Sequence, residues 1–94
     1  MTTEIEKRIA SLEAERAILK TLHTYGHALD YGREKDFLDC WLPDGTLDWP
    51  NVGLLSGHDD LRKAFRAHTH APELFHKHVV AAPLITLEGD IARV

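Results

Sequence analysis

The chain has 94 residues, enough for one small core and too few for two independent domains. Its 11 basic and 15 acidic residues give a formal charge of −4 and are scattered, which argues against the concentrated basic face that a nucleic-acid backbone requires. No apolar run reaches membrane-spanning length, the first residues are too charged for a signal sequence, and the single Cys40 has no internal disulfide partner, so a soluble cytoplasmic protein without nucleic-acid or membrane partners is expected.

Thr3 followed by Glu6 fits a capping box, and Ile5, Ile9 and Leu12 continue at helical spacing. Ser11 offers a second cap, so either one helix runs to Tyr31 or a short helix precedes a main one from about Leu12. Ile18, Leu22, Tyr25 and Leu29 form a packing stripe, and His23, Gly26 and His27 share the neighbouring face with Asp30. Gly32 supplies the left-handed residue that ends the helix. Asp30 thus lies in the last turn, where the helix dipole disfavours an anion, and it is expected to accept a proton more readily than usual.

Residues 35–42 read as a second short helix carrying Phe37, Leu38 and Trp41. Pro43 to Gly45 signal a turn, 46–49 alternate as a strand, and Leu54 and Leu55 suggest a brief return strand. Ser56 or Gly57 caps a third helix with Asp59 and Asp60 in its first turn, Leu61, Ala64 and Phe65 on one face, and Pro72 beyond its end. From Leu74 to Leu87 the composition predicts a long strand bent at Pro83. Its alternation puts His76, His78 and Val80 on one face and Phe75, Lys77 and Val79 on the other. Glu88 to Asp90 form a turn, and Ile91 to Val94 open a further antiparallel strand.

Seven histidines in such a chain are unusual, and each needs a reason. His58, His68 and His70 fall at or near the ends of a surface helix and read as having no special role. His23, His27 and Asp30 have the spacing of a two-histidine, one-carboxylate metal site, but pocket lining or a partly exposed helix face is the preferred reading and no metal is expected. Tyr25 and Trp41 stand first of all at packing positions, and Cys40, with no basic neighbour, reads as a small buried hydrophobe. Asp30 could be a solvated helix-end residue, and His78 a hydrogen-bonded strand histidine.

Four segments in order carry a resemblance: L-E-A-E-R-A-I-L leading to Tyr25 and Asp30, D-F-L-D-C-W-L-P-D-G-T, S-G-H-D-D-L-R-K-A-F, and H-V-V-A-A-P-L-I followed by E-G-D-I-A-R-V. From about residue 11 onward the chain resembles the SnoaL-like branch of the nuclear-transport-factor-two-like superfamily of α+β cone folds. That resemblance implies N-terminal helices packed in a curved antiparallel sheet, with a pocket at its open end. The family includes polyketide cyclases, scytalone dehydratase, a hexachlorocyclohexane dehydrochlorinase, ketosteroid isomerase and non-enzymatic binding domains. It continues through further strands, so the expectation is a single domain over residues 1–94 with C-terminal strands missing, either a fragment or a chain whose sheet a partner completes.

Carried over by position, Asp30 matches the acidic residue that ends the first helix in the dehydratase and dehydrochlorinase, and His78 matches the histidine on the long strand. The resemblance implies that these two are a catalytic acid/base pair, with Tyr25 and Trp41 in segments that line or support the pocket; His27, read from its helix face as pocket lining, is expected at the substrate with them. The implied chemistry is cofactor-free: proton abstraction beside an electron-withdrawing group, then elimination, isomerisation or ring closure on a hydrophobic cyclic or polyketide-like molecule. The alternatives are a non-catalytic module of the same fold that binds a small molecule or dimerises, and a metal-dependent enzyme using the histidine clusters. A homodimer is expected from the exposed sheet.

Overall fold

The Thr3 hydroxyl accepts the Glu6 N–H at 3.1 Å, the first bond of a capping box, and itself donates to Glu6 Oε1 at 3.1 Å, so Thr3 caps the helix. In the computed structural model, which describes residues 2–94, helix α1 runs from that cap without a break over Glu4–Tyr31. Ser11 therefore does not begin a new helix: extending a formed helix adds one hydrogen bond per residue fixed, whereas a second start repeats the cost of nucleation. At the other end Gly32 adopts φ 70°, and its N–H and that of Arg33 both reach Ala28 O.

Helix α2 covers Glu34–Asp39, shorter than the expected 35–42. The N–H groups of Cys40 and Trp41 bond three residues back, to Phe37 O and Leu38 O, so the helix tightens and stops there. Pro43 reinforces the stop, because the residue before a proline is disfavoured in the helical region. Strands β1, Thr46–Trp49, and β2, Gly53–Ser56, then pair as an antiparallel hairpin with Leu47 opposite Leu55.

Helix α3, Gly57–Ala67, follows β2 directly. Its capping residue is Ser56, but the bond is made in the reverse sense, with the Ser56 N–H donating to the Asp60 carboxylate at 3.0 Å. The core lies where the three helices meet: Ala28 and Leu29 from α1, Phe37 and Leu38 from α2, Leu61 and Phe65 from α3. Phe37 and Phe65 meet edge to face at 5.0 Å, and Tyr25, Trp41, Leu47 and Leu55 close over the cluster.

Two histidines that the sequence passed over fasten these elements together. The His58 ring bonds to Trp41 O at 2.9 Å. The His70 ring lies between Leu29 O, 2.5 Å from Nδ1, and Phe65 O, 2.9 Å from Nε2, and so spans the last turns of α1 and α3.

The long strand expected over 74–87 is not formed. Only β3, Thr86–Glu88, and β4, Ile91–Arg93, pair at this end, through the turn at Gly89. A ladder needs a neighbour whose backbone groups are free, and no described strand lies beside 75–85. The His78 N–H donates to a side chain of α1 instead. Of the face expected to turn inward, His76 and Val80 are half-buried but His78 is exposed, so the alternation is broken there, while Phe75 and Val79 opposite are 73% and 81% exposed. The architecture is α+β, but in place of one curved sheet the described residues form two separate hairpins.

Candidate active site

Asp30 is set by the end of α1 and by the chain that folds back over it. Its residue is 3% exposed, the one buried charged residue of the described chain. Burial without a partner would cost several kcal/mol, so the structure must supply partners. Both come from His78: the backbone N–H donates to Oδ2 at 2.9 Å and ring Nδ1 lies 2.5 Å from Oδ1. Gly26, one turn earlier on the same face, makes the approach possible. A Cβ on it would stand 3.0 Å from the His78 Cβ.

The electrostatics reverse one sequence expectation. Burial pushes the Asp30 carboxyl up, but the two His78 hydrogen bonds, with the charges of His78 and Lys77, outweigh it and hold the carboxyl below its ordinary value. Asp30 is thus a firmly ionised anchor rather than a ready proton acceptor. An ionised carboxylate only accepts hydrogen bonds, so His78 Nδ1 carries a proton, and in the neutral form of the ring the lone pair is on Nε2. The His78 side chain is 37% exposed, which leaves the ring open to a ligand.

Tyr25 joins the pair from the next turn of α1. Its ring meets His78 edge-on at 6.1 Å and Trp41 at 6.1 Å, and with Leu22, Leu47, Thr21 and Trp41 it lines an apolar hollow of about 350 Å³. Burial, followed by the nearby Cys40, raises the Tyr25 phenol, so the hydroxyl remains a donor. Trp41 Nε1 is buried with no hydrogen-bond partner among the described residues. Cys40 borders the hollow half-buried rather than buried, its thiol placed to donate to Asp36 O at 3.3 Å.

Four of the five residues singled out in the sequence are thereby linked: Asp30 to His78, His78 to Tyr25, and Tyr25 to Trp41. His27 is not part of that chain of contacts. It stacks on Tyr31 at 6.1 Å and lines a different depression, shared with His23 and three basic side chains. No three His, Cys, Asp or Glu side chains among the described residues converge as metal ligands, and both Asp30 oxygens are already engaged by His78. Sequence reasoning missed Leu47 and Thr21 as lining residues; the alternation of β1 was the available signal for Leu47, and Thr21 carried none.

A long first helix ending in a buried carboxylate, two shorter helices and two separate antiparallel hairpins make the chain α+β, and the family model it matches places it in the nuclear-transport-factor-two-like superfamily. Residues 10–94 match the SnoaL-like domain model, and the chain belongs to that family. No curated protein and no solved structure matches the chain. No helix of the described residues is long and apolar enough to cross a membrane.

Proposed function

We propose that the protein is a cofactor-free lyase or isomerase, dehydratase- or cyclase-like, acting on a hydrophobic cyclic or polyketide-like small molecule with Asp30 and His78 as its acid/base pair. The observation that carries this reading is the contact of 2.5 Å between His78 Nδ1 and the buried Asp30 carboxylate. Nε2 takes the proton from a carbon beside a carbonyl, and the C–H electron pair moves onto the carbonyl oxygen as an enolate. Asp30 stabilises the imidazolium so formed, and the Tyr25 hydroxyl donates to the enolate oxygen. The imidazolium then returns its proton, to a departing hydroxyl in a lyase or to another carbon in an isomerase. The hollow beside Tyr25 and Trp41 suits an apolar ring.

Exchange of the α-hydrogens of cyclic ketones in D₂O, followed by NMR, reads proton abstraction whatever the later step. Wild type is expected to accelerate exchange, and His78→Ala to lose about 10²–10⁴-fold of it, the range of a general base. Asp30→Asn removes the charge that stabilises the imidazolium and is expected to abolish turnover. A folded His78→Ala variant that exchanges as fast as wild type would overturn the assignment.

A second reading, a non-catalytic binding or dimerisation module of the same fold, draws on the apolar side chains Phe75, Val79 and Leu84, which stand 73–83% exposed. Light scattering tests the homodimer, and an unchanged monomer mass at high concentration would count against it. A ligand bound equally by wild type and His78→Ala, with no product, would favour the module over the enzyme.

A further inference from the structure

The second depression, on the His23–His27 side of α1, is a site in its own right. Its volume is about 600 Å³, within the range of small-molecule pockets. Arg16, Lys20, His23 and His27 follow one another at spacings of four, three and four, so they form a single stripe along α1. Arg33, just past the Gly32 stop, adds a third permanent cation, and Asp36 is the one carboxylate on the wall. Leu19 and Ala28 give it an apolar part. Neither Asp30 nor His78 lines it.

Three of the six basic side chains that have no carboxylate partner among the described residues line this groove; the other three are Lys7, Lys63 and Lys77. Acidic residues outnumber basic ones, and Arg8, Lys35, Arg62, Arg66 and Arg93 each have a carboxylate partner. Arg16, Lys20 and Arg33 have none among the described residues, although Glu13 lies three positions before Arg16. Like charges at helical spacings of four destabilise a helix, so the Arg16–Lys20 arrangement works against folding unless something neutralises it. An anion in the groove would do so, and guanidinium groups match the oxygens of a phosphate two at a time.

We infer that this groove binds a phosphate-bearing small molecule through Arg16, Lys20 and Arg33, with His23 and His27 as further donors. The inference stands independently of the proton-abstraction chemistry proposed for the Asp30–His78 site. The shared chemistry is a phosphate group, supplied either as the free ion or on an organic ester whose apolar part rests on Leu19 and Ala28.

Titrations of the labelled protein with inorganic phosphate, pyrophosphate and phenyl phosphate, followed by amide NMR, test it. The expected result is saturable shifts at 16–27 and 33 that leave 75–80 unmoved, with pyrophosphate bound more tightly than phosphate. The double variant Arg16→Gln/Lys20→Gln, and separately Arg33→Gln, should weaken pyrophosphate by at least about fivefold, as loss of charge-assisted hydrogen bonds requires. Asp36→Asn should tighten it. None of these side chains belongs to an ion pair among the described residues, and unchanged melting temperatures would show that the variants are intact. Phenyl phosphate bound more tightly than phosphate assigns the site to an ester, and equal affinity assigns it to the free ion. Shifts that do not saturate, or affinities that the Gln variants and Asp36→Asn leave unchanged, would overturn the inference.

Discussion

At the scale of single residues the Asp30–His78 pair depends on Gly26, a residue that a helix would ordinarily reject. Glycine in a helix interior costs about 1 kcal/mol relative to alanine, so Gly26→Ala should stabilise α1 if propensity alone decided. The new Cβ would stand 3.0 Å from the His78 Cβ, closer than packed side chains normally approach. His78 has little room to give way, because its backbone N–H and its ring are both tied to Asp30. Gly26→Ala is therefore expected to forfeit the propensity gain and to displace His78. Urea denaturation should show no stabilisation, and ketone exchange should fall with the ring's displacement. A variant about 1 kcal/mol more stable with full exchange activity would mean that His78 is held less firmly than its two bonds imply.

At the scale of elements, one side chain takes the place of a sheet partner. Residues 75–85 have no ladder, and the described bond that ties their backbone to α1 is the one from His78 N–H to Asp30 Oδ2. Amide exchange should therefore find His78 protected and its neighbours Lys77 and Val79 fast. Asp30→Ala should release His78 to the rate of those neighbours, while the core amides of Leu29 and Phe65 stay slow. Equal protection of 77, 78 and 79 in wild type would instead require a backbone partner for the whole segment. This is also where the sequence was least informative. The capping box at Thr3, the stop at Gly32, the hairpin around residues 50–53 and the face of Leu61 and Phe65 are local signals, and all were legible. The strand over 74–87 was not, because composition records that a segment suits a sheet and says nothing of whether a neighbour lies beside it. The Asp30–His78 contact joins residues 48 apart, and resemblance rather than spacing linked the two. His70 shows the converse: a residue judged unremarkable from its place after a helix, yet tied to the carbonyls of two helices.

At the scale of the whole molecule, the concentration of imidazoles around the end of α1 couples stability to pH in two separable steps. His68 lies with its ring 5.0 Å from His76 and 5.4 Å from His70, and its Nε2 is buried without a partner among the described residues. Burial first, then the neighbouring imidazoles of His76, His70 and His78, push it down against the pull of Asp30. An unfolded histidine therefore takes up a proton at about pH 6.5, before the folded His68 does. Wherever the unfolded state binds more protons, stability falls as the pH falls, so the His68 contribution is complete above about 6.5 and is lost below it. Asp30, also held below its ordinary value, acts in the same direction lower down: its contribution is complete above about pH 4 and disappears as the pH drops through the folded value. Melting temperatures measured from pH 8 to pH 3 should fall first below about 6.5 and again below about 4. His68→Phe should flatten the first step and leave the second, and because it removes an unsatisfied buried nitrogen it should cost little at pH 8. Asp30→Asn should flatten the second step alone, from a lower starting stability, since the charge-assisted bonds from His78 are weakened at every pH. A His68→Phe profile that follows wild type through the first step would show that the proton goes elsewhere, and would remove His68 as the source of acid sensitivity.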